Sequence, residues 1–296
     1  MIERIQALPA HLQGTLIVGT GVLFISFDSL LIRLAHTDSW NIIFWRGLLM
    51  TVALMIWFVA KERSQALKRL TDCFTTAALL AILMLGANSA LFVLSISLTS
   101  VANTLVILTS APLFAALFSL IFLHERVHLN TWLTIFAAAL GVVVVFVGSM
   151  ESERHWGDLL ALLTAVMNGA YLTLFRRHNN LPRTPLVAVS GMVTAFIAAP
   201  LSAPFSLEAS SYLVLAIMGL IQVPVAMVLI TTGTRFLPAP EVSLFLLVET
   251  LLGPIWVWIA IGERVPDNTW IGGSIILTAL TLHSWYGLRT IKQKTP

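Results

Sequence analysis

The stretch GERVPDNTW, residues 262–270, has a near twin in HERVHLNTW, residues 124–132. Glu125, Arg126, Val127, Asn130, Thr131 and Trp132 recur as Glu263, Arg264, Val265, Asn268, Thr269 and Trp270, every pair 138 positions apart. The first copy also spells H-E-x-x-H, in which two histidines one helical turn apart hold zinc and the glutamate acts as general base. A metal centre and a duplicated helix end are the two readings to separate. The duplicate has Gly262 and Pro266 where the first copy has His124 and His128, so the shared constraint concerns the turn. No third ligand stands at the same depth, and HERVH is read as an accidental match.

The correspondence extends beyond the phrase. Leu113 pairs with Leu251 and Ile121 with Ile259 at the same offset of 138. Nearer the start of each half, Gly14, Leu16, Leu31 and Arg33 match Gly157, Leu159, Leu174 and Arg176 at an offset of 143. The chain thus divides into two related halves, 14–149 and 157–288.

Composition sets the solvent. Of 296 residues, 58% are hydrophobic and only 10% charged, with a mean hydropathy of +0.91. A soluble domain carries about 25% charged residues. So little polar surface cannot be covered in water, and the chain must sit in lipid. The net charge of +3 is therefore no footprint of nucleic acid. Cys73 is the only cysteine, which excludes an internal disulfide and leaves no second thiolate for a metal. The first 13 residues are mildly amphipathic and no small-residue cleavage site follows the first apolar run, so that run is read as a retained helix.

Ten apolar runs have the length needed to cross the hydrocarbon core. They are placed at 14–35, 41–60, 74–95, 102–123, 131–149, 157–176, 185–204, 212–233, 240–261 and 270–288. With the N-terminus inside, 13 of the 17 Lys and Arg residues fall on the inner side and 4 on the outer, which predicts cytoplasmic N- and C-termini. Trp40, Trp132, Trp156, Trp270 and Trp285 lie near span ends, where amphipathic rings are favoured. The segment SQALKRL, 64–70, suits either a helix on the inner surface or a solvated loop. Five spans per half is an odd number, so the second half must be upside down relative to the first. The expected fold is an all-α integral membrane protein of ten transmembrane helices in two inverted five-helix repeats. Such repeats place a substrate site near the midplane, where the halves meet.

Three segments resemble the EamA-type branch of the drug/metabolite transporter superfamily: SAPLFAALFSLIFLHERVHLNTW (110–132), LVETLLGPIWVWIAIGERVPDNTW (247–270) and FWR (44–46). In that family the fourth span of each half holds a Pro-centred small-residue segment and ends in Gly-Glu or a variant. The resemblance implies ten helices in inverted repeats and export of small metabolites, often amino acids, across the bacterial inner membrane. One departure stands out. Where the family has Glu-Pro in span nine, this chain has Glu249-Thr250, with Pro254 one turn later. The expected break in span nine is displaced accordingly.

Polar groups within the spans are costly and point to function by default. Glu249, near the middle of span nine, is the foremost. Hydrocarbon disfavours a charged carboxyl, so Glu249 is a candidate to exchange a proton or contact a substrate amine, or else a structural carboxyl bonded to a neighbouring helix. Glu241, nearer the inner end, is read as an interfacial charge. Asp28 and Arg46 both lie about 8–9 Å below the outer surface at 1.5 Å per residue. The turn between them makes their helices antiparallel neighbours, which predicts an Asp28–Arg46 ion pair, structural or gating. Arg33 is expected to snorkel to the interface. Asn88, Asn168, Tyr171 and Gln222 lie near mid-depth and are expected either to bond helix to helix or, with Glu249 and Trp256, to bind substrate. Asn103 suits an outer gate. Phe92, Trp45 and Trp256 suit either an apolar pocket wall or lipid-facing packing. Pro112, Pro224 and Pro254 each free a backbone carbonyl, which is tolerated where a helix lines a cavity or bends.

A secondary transporter using alternating access accommodates these features. The chain has no P-loop, so ATP is not its direct driver; a proton gradient or the substrate's own gradient is. An intramembrane zinc metalloprotease on HERVH 124–128 is the alternative, and a channel lacks the ring of identical polar groups it needs. No cofactor, metal or nucleic-acid partner is expected. The expected partners are a small molecule, the bilayer and, as a candidate coupling ion, the proton. A homodimer is allowed but not indicated.

Overall fold

The computed structural model describes residues 9–63, 71, 75–124 and 155–263, with scattered positions within 132–147 and 267–282. The described residues are helical, with short π and 3-10 segments and no strand. Eight helices among them are long and apolar enough to cross a bilayer: Ala10–Leu34, Ser39–Glu62, Thr76–Leu98, Val101–Leu123, His155–Arg177, Arg183–Leu201, Ala209–Gly233 and Ala239–Ile261. They correspond to expected spans one to four and six to nine. Expected spans five and ten fall largely outside the described residues, as does SQALKRL. The chain is an all-α, multi-pass membrane protein.

Side chains at the helix starts satisfy amides that have no partner within the helix. Asp38 accepts from the Trp40 amide at 3.0 Å, Thr75 from Ala78 at 3.3 Å, and Ser100 from Asn103 at 3.1 Å. Along the spans the apolar surface faces outward as well as inward. Phe196 is 81% exposed, Ile259 67% and Ile56 66%, a surface that only lipid can cover. Without a hydrophobic drive between spans, small residues and close backbones hold helices together. Span two lies against span seven so closely that a Cβ on Gly47 would collide with the Gly191 carbonyl, and one on Gly191 with the Gly47 carbonyl. Span one packs on span eight, span three on span six, and span nine on spans one and four.

Two spans are broken at matching places. Span four is two helices, Val101–Leu108 and Ala111–Phe118; span nine is Ala239–Phe245 and Leu247–Ile261. Leu108 and Leu246, at the two breaks, are 138 positions apart. Pro112 begins the second piece of span four, as expected, and Pro224 follows a π segment at Met218–Gln222 in span eight. The expectation for Pro254 is corrected. It sits inside the helix Leu247–Ile261, and the break lies eight residues earlier, at Leu246. The break therefore forms without a proline at Thr250, whose hydroxyl instead donates to the Leu105 carbonyl at 3.2 Å. Span one is also interrupted, between Ile25 and Asp28.

Both copies of the opening phrase begin at a left-handed residue. His124 has φ 56° and ends a π segment; Gly262 has φ 74° and ends span nine. Left-handed residues of this kind stop helices. His124 thus terminates a helix, which breaks the continuous register that a zinc H-E-x-x-H requires. Glu125 and His128 lie outside the described residues.

Candidate functional site

A cavity of about 50 Å³ lies where all eight described spans converge. Asp28 from span one, Arg46 from span two, Asn88 and Phe92 from span three, Asn168 and Tyr171 from span six, and Glu249 from span nine all line it. The local sequence explains their arrangement. The interruption at Ser26–Phe27 ends one helix just before Asp28, and the Gly47–Gly191 contact draws the stretch carrying Arg46 against span seven. Glu249 stands three residues beyond the break at Leu246, in the first turn of a new helix.

The Asp28–Arg46 ion pair is present. Arg46 Nη1 lies 2.6 Å from Asp28 Oδ2, and the two side chains are 5% and 0% exposed. Arg46 also stands over the Phe92 ring, 5.9 Å from its centre. Its Nε and the Asn88 Oδ1 are buried with no hydrogen-bond partner among the described residues. Glu249 is 7% exposed and shares the same cavity. The site therefore holds two carboxyl groups and one guanidinium, with the amides of Asn88 and Asn168 and the Tyr171 phenol around them.

Other expected residues stand elsewhere. The Gln222 amide donates to the Phe24 carbonyl at 3.1 Å, behind the Asp28–Arg46 pair. Trp256 is stacked on Phe27, with ring centres 5.0 Å apart, and does not line the cavity. Trp45 is not a pocket wall either. Its indole N–H donates to the Pro204 carbonyl at 2.9 Å, and its ring meets the edges of Phe205 and Tyr212, which fastens the loop between spans seven and eight. Asn103 reaches toward Asp158 on span six at 3.5 Å. Glu241 is half exposed and faces His11 at 3.2 Å, as suits an interfacial charge.

Arg33, expected to reach the interface, is partly exposed and has a partner there. Its Nε lies 3.0 Å from Glu263 Oε2, its Nη2 donates to Glu263 Oε1 at 3.3 Å and to the Thr99 carbonyl at 3.1 Å. Glu263 Oε1 also accepts from the Val101 amide at 3.1 Å. Sequence reasoning placed the repeated glutamate in a constrained turn but missed its partner; the matched pair Arg33 and Arg176 was the available signal. It also missed Thr164 and Ser190, which line the cavity, and Asp158, buried in the first turn of span six. Small hydroxyls in a helix carry little sequence signal, since most bond back to their own backbone, as Ser190 does to the Val187 carbonyl.

Two segments of the chain, 12–147 and 155–285, match the EamA-like transporter family. The chain belongs to that family. The chain is similar to the uncharacterized transporter YdfC of Bacillus subtilis (strain 168), to which it is 25% identical over 182 residues. That match spans 59% of the relative's length and 59% of this chain. One solved crystal structure superposes with a TM-score of 0.71 over 92% of this EamA-like chain and 98% of its own, at 15% identity, a likeness of fold alone.

Proposed function

We propose that this EamA-like protein is a secondary transporter that exports a small metabolite, an amino acid or related compound, by alternating access. The observation that carries the reading is the convergence of Asp28, Arg46 and Glu249 on one buried cavity. Two acids facing one arginine leave that cavity able to take up one further positive charge. A substrate ammonium or a proton supplies it, so Glu249 is assigned to substrate binding, coupling or both. Asn88, Asn168 and Tyr171 offer the hydrogen bonds that would hold a polar head, and Phe92 an apolar wall. Gln222 and Trp256 act from behind, on Asp28 and on the outer stack. Asp28, Arg46 and Asn103 serve as gating residues, and the breaks beside Pro112 in span four and at Leu246 in span nine as the moving parts.

Two inverted five-helix repeats, 14–149 and 157–288, supply the two states. Span one packs on span eight as span six packs on span three, the contact an inverted repeat would produce. The breaks at Leu108 and Leu246 and the left-handed His124 and Gly262 also recur at one offset. The asymmetry of 13 positive residues against 4 supports cytoplasmic termini. The bacterial relative supports the inner membrane as the location.

The test is thermal stability of the purified protein in detergent against amino acids, nucleosides, polyamines and cationic drugs. A ligand bound only by the folded state adds about 2.7 kcal/mol at a hundred times its Kd. One amine-bearing class is expected to raise Tm, and the rise is expected to vanish in Glu249→Gln. A rise of the same size in that variant would remove Glu249 from the site.

A further inference from the structure

The two ends of the inter-half seam differ. At one end, Phe27 and Trp256 stack face to face, and Arg33 and Glu263 pair beside them. The repeat offsets of 143 and 138 carry Phe27 to Ala170 and Trp256 to Phe118. Ala170 and Phe118 do not stack; with Met84 and Leu174 they line a cavity of about 560 Å³ between spans three, four and six. Where one end holds two stacked rings from opposite halves, the other holds Phe118 and Phe122 of span four alone, facing open space.

The Arg33–Glu263 pair is built to hold the stacked end shut. Arg33 belongs to the first half and Glu263 to the second, so the pair crosses the seam. Its four polar contacts tie the end of span one, the turn between spans three and four, and the end of span nine. The side chains are 28% and 26% exposed, so water and salt reach them and the pair can open at modest cost. A fully buried pair such as Asp28–Arg46 has no such freedom.

We propose that Arg33–Glu263 is a latch of the transport cycle, closed in this conformation with the opposite end open, and that it must break for the latched end to open. The proposal rests on the alternating-access reading. Glu263 is then the functional residue of the repeated phrase, a gating residue and not a metal ligand.

The test reads conformation and not transport. In a background with Cys73→Ser, two single-cysteine reporters are made. Ser29→Cys lies one turn below Arg33 on the same helix face, is 1% exposed and is outside the cavity lining. Met84→Cys lines the opposite cavity. Each is labelled in vesicles by a membrane-impermeant maleimide supplied to its own face. Loss of about 1 kcal/mol from the latched state shifts a two-state population about five-fold. Glu263→Gln and Arg33→Gln are each expected to raise the ratio of Ser29→Cys to Met84→Cys labelling by that factor, through a rise at the first and a fall at the second, while Arg33→Lys stays near the parent. A rise at Ser29→Cys with no fall at Met84→Cys means local loosening and overturns the latch, as does no change at either reporter. Should the variants fail to fold, the unaltered latch is weakened by raising salt from 0.1 to 1 M, where screening shortens from about 10 to 3 Å; the same reciprocal change is expected, and constant rates overturn the proposal. If the labelling is reciprocal and no solute ever moves, the latch stands and the transporter reading fails.

Discussion

Glu249 and the Asp28–Arg46 pair carry the chemistry at the scale of single residues. Asp28→Asn leaves Arg46 a buried, unpaired cation, a change that costs about 3–5 kcal/mol when one partner of a buried pair is lost. A large fall in Tm is expected, with recovery of much of it in Asp28→Asn combined with Arg46→Met, because the stranded charge is then gone. If the double variant melts no higher than the single one, the loss lies elsewhere. His124 offers a milder test. A non-glycine residue at φ 56° costs about 1–2 kcal/mol that glycine does not, partly offset by about 0.5–1 kcal/mol of glycine's extra chain entropy. His124→Gly, which copies Gly262, is expected to raise Tm by about 2 °C. A lower Tm would show that the imidazole holds the turn. The charged residues were legible in the sequence, since a carboxylate or guanidinium in an apolar run is conspicuous. Thr164 and Ser190 were not, because hydroxyls are common in helices that bind nothing.

Helices position those residues through backbone contact. The spans carrying Arg46 and Ser190 touch at Gly47 and Gly191, where the nearest neighbour of an added atom is a backbone carbonyl that cannot swing aside as a flexible side chain can. Gly47→Ala is expected to cost about 1–3 kcal/mol of stability by overpacking and to weaken ligand binding by moving Arg46, whereas Gly19→Ala, with open space around its Cβ, is expected to be neutral. Equal Tm values for the two would refute the close contact. In span nine, Thr250→Val removes the hydroxyl bond to Leu105 and is expected to cost about 0.5–1.5 kcal/mol, read as a lower Tm. The spans themselves were legible from hydropathy alone. The place of the break in span nine was not. A proline marks a helix that is free to bend, but the bend goes where neighbouring spans leave room, here at Leu246 and not at Pro254.

For the molecule as a whole, orientation is the prediction that composition makes. A C-terminal epitope tag is expected to survive protease added outside intact cells and to be cut after lysis; cutting in intact cells would reverse the arrangement drawn from the Lys and Arg count. The seam between the halves makes the second prediction at this scale, through the reciprocal labelling of its two ends. Family membership is consistent with transport of a small molecule, and the proposed place where the solute is chosen is the few groups around the 50 Å³ cavity.

By itself the sequence determined the solvent, the places of the eight spans that the structure describes, the repeated phrase and the polar residues that lipid would not tolerate. These are local or additive properties: an apolar run of about 20 residues spans a bilayer whatever surrounds it. Only the tertiary structure decided that Glu263 meets Arg33 across 230 positions, that Trp256 lies on Phe27 outside the cavity, and that Trp45 fastens a loop. Such pairings depend on how far each helix is rotated and where it breaks. Those quantities are fixed by close packing between spans, and no single span's sequence contains them.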